Sequence, residues 1–162
     1  MLDLVPVRSA GILLHRRTPS GQVQVLLGHM GGPFWSRKDD AAWSLPKGEY
    51  TDDEPAETAA RREFAEELGI AVPDGELLPL GEVRQPSGKR LTVWALAADL
   101  DVSAVRPGTF ALEWPPGSGR LQDFPEIDRA EWFDVEAARD KLVKGQRPFL
   151  DLLLGVLGES PE

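Results

Sequence analysis

The chain has 162 residues, of which 41% are hydrophobic and 28% are charged, and we expect a single globular domain over residues 1–162. It contains no cysteine, which excludes disulfides, thiolate nucleophiles and cysteine-based zinc sites and suits a cytoplasmic location. No apolar run is long enough to span a membrane, and a net charge of −9 argues against a nucleic-acid-binding surface.

The secondary structure expected from the sequence is mixed. Alternating apolar residues bounded by turn residues predict strands over residues 8–17, 22–30, 43–46, 77–84, 90–100 and 130–133. Helices are predicted over residues 54–68, 135–143 and 148–157. Residues 106–125 are rich in glycine and proline and are predicted to form a long loop. This order favours an α/β sandwich around a mixed sheet over a regular βαβ ladder.

The first predicted helix carries an unusual group of carboxylates. Glu63, Glu66 and Glu67 are spaced by three and four residues, which places them along one helical face. Three like charges there repel one another, and hard divalent cations that bind carboxylate oxygens can neutralise them. Apolar residues can anchor another side of the helix in the core, namely Ala56, Ala60, Phe64 and Leu68. The helix alone also fits a solvated, glutamate-rich surface with intrahelical ion pairs.

The wider pattern decides between these two interpretations. Residues 48–70 read GEYTDDEPAETAARREFAEELGI and resemble the Nudix box at each of its positions, namely Gly48, Glu54, Arg62, Glu63, Phe64, Glu66, Glu67, Gly69 and Ile70. The resemblance implies an α/β Nudix fold, an α/β/α sandwich around a mixed β-sheet. It also implies a hydrolase that uses Mg²⁺ or Mn²⁺ and takes a small-molecule nucleotide as substrate.

The resemblance implies a role for each polar residue of the box. Glu66 and Glu67 would be the principal metal ligands, and Glu63 would be a further ligand or a catalytic base. The main-chain carbonyl of Lys47, just before the box, would complete the metal site. Arg62 would contribute to catalysis structurally, by holding carboxylates such as Glu54 through bidentate hydrogen bonds.

The two box glycines would have conformational roles. Gly48 would permit a tight loop before the helix. Gly69 would end the helix in a backbone conformation that is costly for other residues.

A catalytic base can also come from outside the box. Glu126 lies six residues before Trp132, a spacing that resembles animal-type diadenosine tetraphosphate hydrolases, and we predict it as the base with Asp123 as the fallback. The alternative for Glu126 is an ordinary loop glutamate. The two histidines, His15 and His29, lie in predicted strands and are interpreted as structural.

Candidate substrate-binding residues are basic or aromatic. Lys47, in WSLPKGE, and Lys89 or Arg90, in GKRLTVWAL, lie in segments that resemble the same subgroup, and they can contact phosphates. Trp35 and Trp114, in predicted loops, are candidates for stacking on a base, as is Phe34. For each of these residues, packing or solvation is the alternative.

Three functions remain open at this point. The leading hypothesis is a pyrophosphohydrolase of nucleoside polyphosphates, either dinucleoside polyphosphates or nucleoside triphosphates, including damaged ones. An ADP-ribose or nucleotide-sugar pyrophosphatase is the first alternative, since Pro86 resembles a proline of ADP-ribose-cleaving members. The tetraphosphate-hydrolase subgroup often has a tyrosine downstream of the box, whereas the only tyrosine of this chain, Tyr50, lies inside it. A non-catalytic nucleotide sensor is the second alternative, although such modules usually lose box carboxylates.

Overall fold

The computed structural model describes residues 7–159. The strands in this range are β1 (Arg8–Arg17), β2 (Val23–Met30), β3 (Trp43–Ser44), β4 (Lys47–Tyr50), β5 (Leu78–Arg84), β6 (Arg90–Ala97), β7 (Thr109–Glu113), β8 (Leu121–Pro125) and β9 (Ile127–Asp134). The α-helices are α1 (Ala56–Leu68), α2 (Val135–Lys141) and α3 (Pro148–Val156). Short 3₁₀ turns cover Val102–Ala104 and Lys144–Gln146. None of the helices within residues 7–159 is long and apolar enough to cross a membrane.

Strand β1 organises a mixed sheet. Along one edge β1 pairs with β6 in parallel from Arg8 to His15. Along the other edge it pairs antiparallel with the start of β2 and, nearer its own beginning, with β4. β1 and β2 therefore separate, and the segment that carries β3 and β4 lies between them, with β3 hydrogen-bonded to β2. This gap positions β4 next to α1, and β4 and α1 carry most of the box.

Both faces of the sheet are covered, as the sequence predicts. Side chains alternate along β1, so that Ile12 and Leu14 join one buried cluster while Leu13 joins another. The first cluster includes Ala60, Phe64 and Leu68 of α1. The second includes Ala138 of α2 and Phe149, Leu150 and Leu153 of α3. The architecture is the expected α/β/α sandwich around a mixed sheet.

Helix α1 is anchored by the apolar side that its sequence indicates. Ala60, Phe64 and Leu68 are fully buried. The helix begins at Ala56, two residues later than predicted, because Pro55 has an extended backbone with ψ of 144°. It ends as predicted at Gly69, whose φ of 68° lies in the left-handed region.

The largest differences between the structure and the sequence expectations lie in two regions. Strand β4 was not predicted, because its hydrogen bonds come from β1, about forty residues earlier in the chain. The long loop predicted over residues 106–125 is wrong, because β7 and β8 form an antiparallel hairpin there. Its glycines and prolines are concentrated in the connection, while the strands pair Phe110 with Phe124.

Candidate active site

Strand β4 and helix α1 approach each other closely at Gly48. A methyl group added to this glycine would lie 1.9 Å from a carboxylate oxygen of Glu63. Gly48 lies within β4 rather than in the tight loop expected from the sequence. Its role in the structure is therefore to let the Glu63 carboxylate lie against the backbone of β4.

Glu67 is the most buried carboxylate of the box, with a relative exposure of 7%. The backbone N–H of Lys47 donates to its Oε2 over 3.2 Å. Burial raises the pKa of Glu67 to about 7, and the charges of Glu126 and Glu63 add to this effect, while the amide and charge of Lys47 oppose it. At neutral pH the Glu67 carboxyl is therefore partly protonated, and a nearby positive charge would favour its ionised form.

The spacing predicts that the three box glutamates lie along one helical face, but in the structure they are not equally exposed. The Glu66 side chain is 59% exposed, that of Glu63 is 15% exposed, and Glu67 is buried. The carboxylates form a series from solvent to core, because Glu67 lies at the border between the exposed side of α1 and its apolar side.

Arg62 connects the carboxylates to one another. Its guanidinium donates to both carboxylate oxygens of Glu54, over 2.9 and 2.8 Å, and to Glu63 over 2.7 Å. A weaker contact of 3.3 Å reaches Glu66. These hydrogen bonds raise the pKa of Arg62 and lower that of Glu54. The predicted contact between Arg62 and Glu54 is present, while its importance for activity stays a prediction.

Glu126 reaches the same group from outside the box. Its backbone is fixed on both sides, since its N–H donates to the carbonyl of Gly108 over 2.8 Å and its carbonyl accepts from Gly31 over 2.9 Å. Partial burial raises the pKa of Glu126, as do the charges of Glu63 and Glu66, while Lys47 lowers it. The fallback residue Asp123 is exposed on β8, opposite Ala111.

The donor set suits a hard divalent cation. Glu63, Glu66, Glu67 and Glu126 supply carboxylate oxygens, the ligands that Mg²⁺ prefers, and Mg²⁺ often completes its shell with water and substrate phosphate. In the part of the chain from 7 to 159, these side chains do not form a ready-made metal cage. Arg62 lies between Glu63 and Glu66 instead. A cation that binds here would compete with this guanidinium for the same oxygens.

A cleft of about 380 Å³ lies on the other face of β4, on the side of the sheet that α3 covers. Lys47 lines it from β4, Leu91 lines it from β6, and Pro86 and Lys89 line it from the connection between β5 and β6. Sequence reasoning missed further lining residues, which are Ser44, Gln85, Lys144 and Gln146. Gln146 is buried and bonds the backbone of Leu45 and the hydroxyl of Ser44, so no surface pattern in the sequence marks it.

Three predicted substrate contacts lie outside this cleft. Trp35 is partly buried and packs against the core on the α3 side. Trp114 contacts Phe34 edge to face, with 5.4 Å between the ring centroids. Arg90 lies 3.5 Å from Glu82. None of these three side chains lines the cleft, so their contact with substrate stays a prediction.

Both histidines are buried in strands. His29 contacts Asp128 at 2.9 Å and the carbonyl of Lys38 at 2.6 Å. Burial lowers the pKa of His15, and so does the nearby charge of Arg17. Neither histidine contacts the box carboxylates, which agrees with the structural interpretation.

Comparison with known proteins decides the family. Residues 5–153 match the family model for the NUDIX domain. The chain belongs to the Nudix family. It is accordingly a Nudix-type hydrolase that acts on pyrophosphate bonds. Nudix proteins generally use divalent metal ions. No curated protein matches the chain significantly in sequence.

Solved structures share the Nudix fold over nearly the whole chain. The C. elegans Ap4A hydrolase in a binary complex superposes with a TM-score of 0.63 and 20% identity, over 93% of this chain and 98% of that one. The NUDIX domain of Shewanella oneidensis NrtR, complexed with ADP ribose, gives 0.63 and 16% over 96% and 90%. A Listeria innocua mutT/nudix family protein gives 0.63 and 18% over 96% of both chains. At these identities the likeness shows the fold.

The pKa of Glu67 leads to a prediction about stability. The unfolded chain ionises this group near its ordinary pKa of 4.5, whereas the folded protein keeps the proton up to about pH 7. Folding therefore takes up a proton between these values, and the free energy of unfolding of the metal-free protein should fall as pH rises through this window, by on the order of 3 kcal/mol from this group. Chemical denaturation of the wild type and Glu67→Gln from pH 4.5 to 8 measures this contribution as the difference in slope. Parallel curves would contradict it.

Proposed function

We propose that this Nudix protein is a metal-dependent pyrophosphohydrolase that cleaves a phosphoanhydride bond in a nucleoside polyphosphate, either a dinucleoside polyphosphate or a nucleoside triphosphate, including damaged ones. One observation carries the proposal: the buried carboxylate of Glu67 lies among other carboxylates and accepts from the backbone N–H of Lys47, whose side chain lines the cleft on the other face of β4. In a protein of net charge −9, an anionic substrate needs a local concentration of positive charge, which Lys47 and a cation on these carboxylates would supply. We also propose that the whole chain is one Nudix domain acting in the cytoplasm.

The metal would be Mg²⁺ or Mn²⁺. Glu66 and Glu67 would be its principal ligands, with Glu63 and the main-chain carbonyl of Lys47 completing the site. When bound, such an ion screens the phosphate charge, orients the diphosphate and lowers the pKa of the attacking water.

The residues of this chain would carry out the remaining tasks. Glu126 would accept a proton from water as the water oxygen bonds to phosphorus and the bridging P–O bond breaks, so that the leaving phosphate takes the electron pair. Lys47 would bind a phosphate oxygen as a point charge. Arg62 would keep Glu54 and Glu63 in position through the hydrogen bonds described above.

The cleft would hold the nucleoside. Apolar side chains such as Leu91 and Val143 can cover the faces of a planar base, while polar groups such as Ser44 and Gln85 can face its edge. Among the residues that the structure describes, none with an aromatic side chain lines this cleft, so we do not assign base stacking to it. Lys89 would contact phosphate at its rim, and Arg90, Trp35 and Trp114 stay candidates for outlying parts of a longer substrate.

A nucleotide-sugar substrate such as ADP-ribose is the second candidate. Pro86 lines the cleft and would contact a substrate bound there. The solved NrtR domain, which was crystallised with ADP ribose, shares the fold. A non-catalytic sensor is disfavoured, since all the box carboxylates are present.

A substrate panel tests the proposal. The protein is incubated with Mg²⁺ in ¹⁸O-labelled water with diadenosine tetraphosphate, nucleoside triphosphates, an oxidised triphosphate and ADP-ribose, and the products are identified by mass spectrometry. We expect ¹⁸O in one phosphate product and highest kcat/KM for a polyphosphate. Fastest turnover of ADP-ribose would favour the second candidate, and tight binding without turnover would establish a sensor.

Metal binding should stabilise the fold. Because the native state gathers carboxylates that the unfolded chain does not, a bound ion should add about 2.7 kcal/mol at a hundredfold excess over its Kd. The Tm should rise with Mg²⁺ or Mn²⁺, more at pH 8 than at pH 6, since protons compete for Glu67 at the lower pH. In Glu66→Gln the rise should be smaller. Equal rises in both proteins would show that the ion binds elsewhere.

A further inference from the structure

The cleft contains more positive charge than a diphosphate requires. Three lysines line it from three different segments: Lys47 from β4, Lys89 from the connection between β5 and β6, and Lys144 from the turn before α3. Of these three lysines, only Lys89 has a carboxylate of residues 7–159 within salt-bridge distance, with Glu49 at 3.8 Å. Outside the cleft, by contrast, Lys141 is paired with Asp39. The cleft of an acidic protein thus has unneutralised cations.

Two of these lysines are separate from the metal-binding carboxylates. The charge of Lys47 affects the pKa of both Glu67 and Glu126, whereas neither Lys89 nor Lys144 does so. Lys89 instead lies near Glu49, two residues beyond Lys47 along β4, which corresponds to roughly 7 Å of strand. Lys47 therefore lies beside the metal-binding carboxylates, whereas Lys89 and Lys144 line the cleft from other segments of the chain.

Gln85 holds Lys89 and Lys144 in a fixed relation. The backbone N–H of Gln85 donates to the carbonyl of Lys89 over 2.7 Å, and its side-chain amide donates to the carbonyl of Gly145 over 3.0 Å. A methyl group added to Gly145 would lie 2.4 Å from the Gln85 side-chain oxygen, so the two segments are in tight contact. The lysines on either side of Gln85 are therefore carried by a rigid part of the cleft wall.

We infer that Lys144 and Lys89 form a second phosphate-binding position, and that the substrate carries at least one phosphate in addition to the scissile diphosphate. The inference rests on the proposed function and narrows its substrate class. Two chemical sources fit: a longer polyphosphate chain, as in a dinucleoside tetraphosphate, or a phosphate ester on the ribose of the bound nucleoside. A substrate with only the scissile diphosphate leaves Lys144 without an anionic partner and Lys89 with Glu49 alone, at 3.8 Å.

Three compounds that share an adenosine test the inference. ADP-ribose carries only the scissile diphosphate, 2′-phospho-ADP-ribose adds a ribose phosphate, and diadenosine tetraphosphate adds phosphates within the chain. For Lys144→Met we expect the ratio of kcat/KM between one of the two richer compounds and ADP-ribose to fall by about tenfold, the usual worth of a hydrogen bond to a charged group. Which ratio falls identifies the source of the extra phosphate.

Matched variants separate charge from structure. Lys38→Met removes an exposed lysine outside the cleft and should leave both ratios at the wild-type value. Lys144→Arg keeps the charge and should retain the preference. For the wild type, kcat/KM of the preferred compound should decline with KCl more steeply than that of ADP-ribose, and Lys144→Met should reduce this difference.

The failure of the inference can be told apart from the failure of the proposed function. If Lys144→Met changes all three values of kcat/KM by the same factor, or none of them, the second phosphate position does not exist, while the wild-type turnover still supports the proposed function. If the wild type hydrolyses none of the compounds or nucleoside triphosphates, the proposed function is wrong and the inference falls with it.

Discussion

Replacing Glu126 by glutamine should lower kcat by roughly 10²–10⁴-fold, the usual worth of general base catalysis. Glutamine keeps the size of the side chain but cannot accept the proton from water. The fold should persist, because the structure holds this residue through backbone hydrogen bonds to Gly31 and Gly108 rather than through its side chain. KM should change little, since the carboxylate would act mainly in the transition state. Steady-state kinetics with the preferred substrate measures both effects.

The pH profile provides a second readout for Glu126. Glu126 is exposed, but its partial desolvation and the charges of Glu63 and Glu66 raise its pKa, so its ionised form should be lost at a pH above the ordinary range for glutamate. The acidic limb of the wild-type profile should report this loss, and Glu126→Gln should flatten or move it. A merely structural role would lower kcat without changing the limb.

Asp123→Asn is the matched control, three residues earlier on β8. Its exposed carboxylate should contribute little, so the variant should stay close to wild-type activity. A damaging Asp123→Asn together with a silent Glu126→Gln would show that the spacing to Trp132 was interpreted wrongly. If both changes are silent, Glu63 becomes the candidate for the base.

The local parts of this site could be predicted from the sequence because their physical causes are local. The spacing of Glu63, Glu66 and Glu67 on a helix, and the glycine that ends it, depend on residues within one or two turns. The contact between Arg62 and Glu54 also follows from residues eight apart in one continuous segment. A complete box was thus sufficient to predict the fold and the carboxylate cluster.

The rest of the site depends on distant parts of the chain. Strand β4 exists because β1 offers it an open edge, and the cleft exists because the turn before α3 reaches the connection between β5 and β6. Nothing near Lys144 or Gln146 in the sequence indicates that they line a cleft with Lys47. The hairpin of β7 and β8 was missed because its glycine-rich connection dominated the composition of residues 106–125.

The degree of burial of the three box glutamates could not be predicted from their helical spacing. Helical spacing treats Glu63, Glu66 and Glu67 alike, yet tertiary packing exposes one carboxylate and buries another. The buried position changes the protonation of Glu67 near neutral pH, and no pattern of residue types contains that information.

Replacing Glu67 or Glu66 by glutamine should lower kcat at least tenfold and up to about a thousandfold, because the stabilisation that a bound cation gives to the transition state is worth several kcal/mol. The Glu67 variant should be the more severe of the two. Its carboxylate is buried, so water cannot replace the lost ligand oxygen as easily as at the exposed Glu66.

Glu67→Gln should keep the fold, since its amide oxygen can still accept from the N–H of Lys47. Glu57→Gln removes an exposed carboxylate from the first turn of the same helix and serves as the matched control, with turnover expected near the wild-type value. Titration of kcat with Mg²⁺ distinguishes a lost ligand from a lost base. A ligand variant should need more Mg²⁺ to reach its maximum, whereas a base variant should reach a lower maximum at the same Mg²⁺ concentration. Near-normal turnover by both Glu66→Gln and Glu67→Gln at limiting Mg²⁺ would refute the metal assignment.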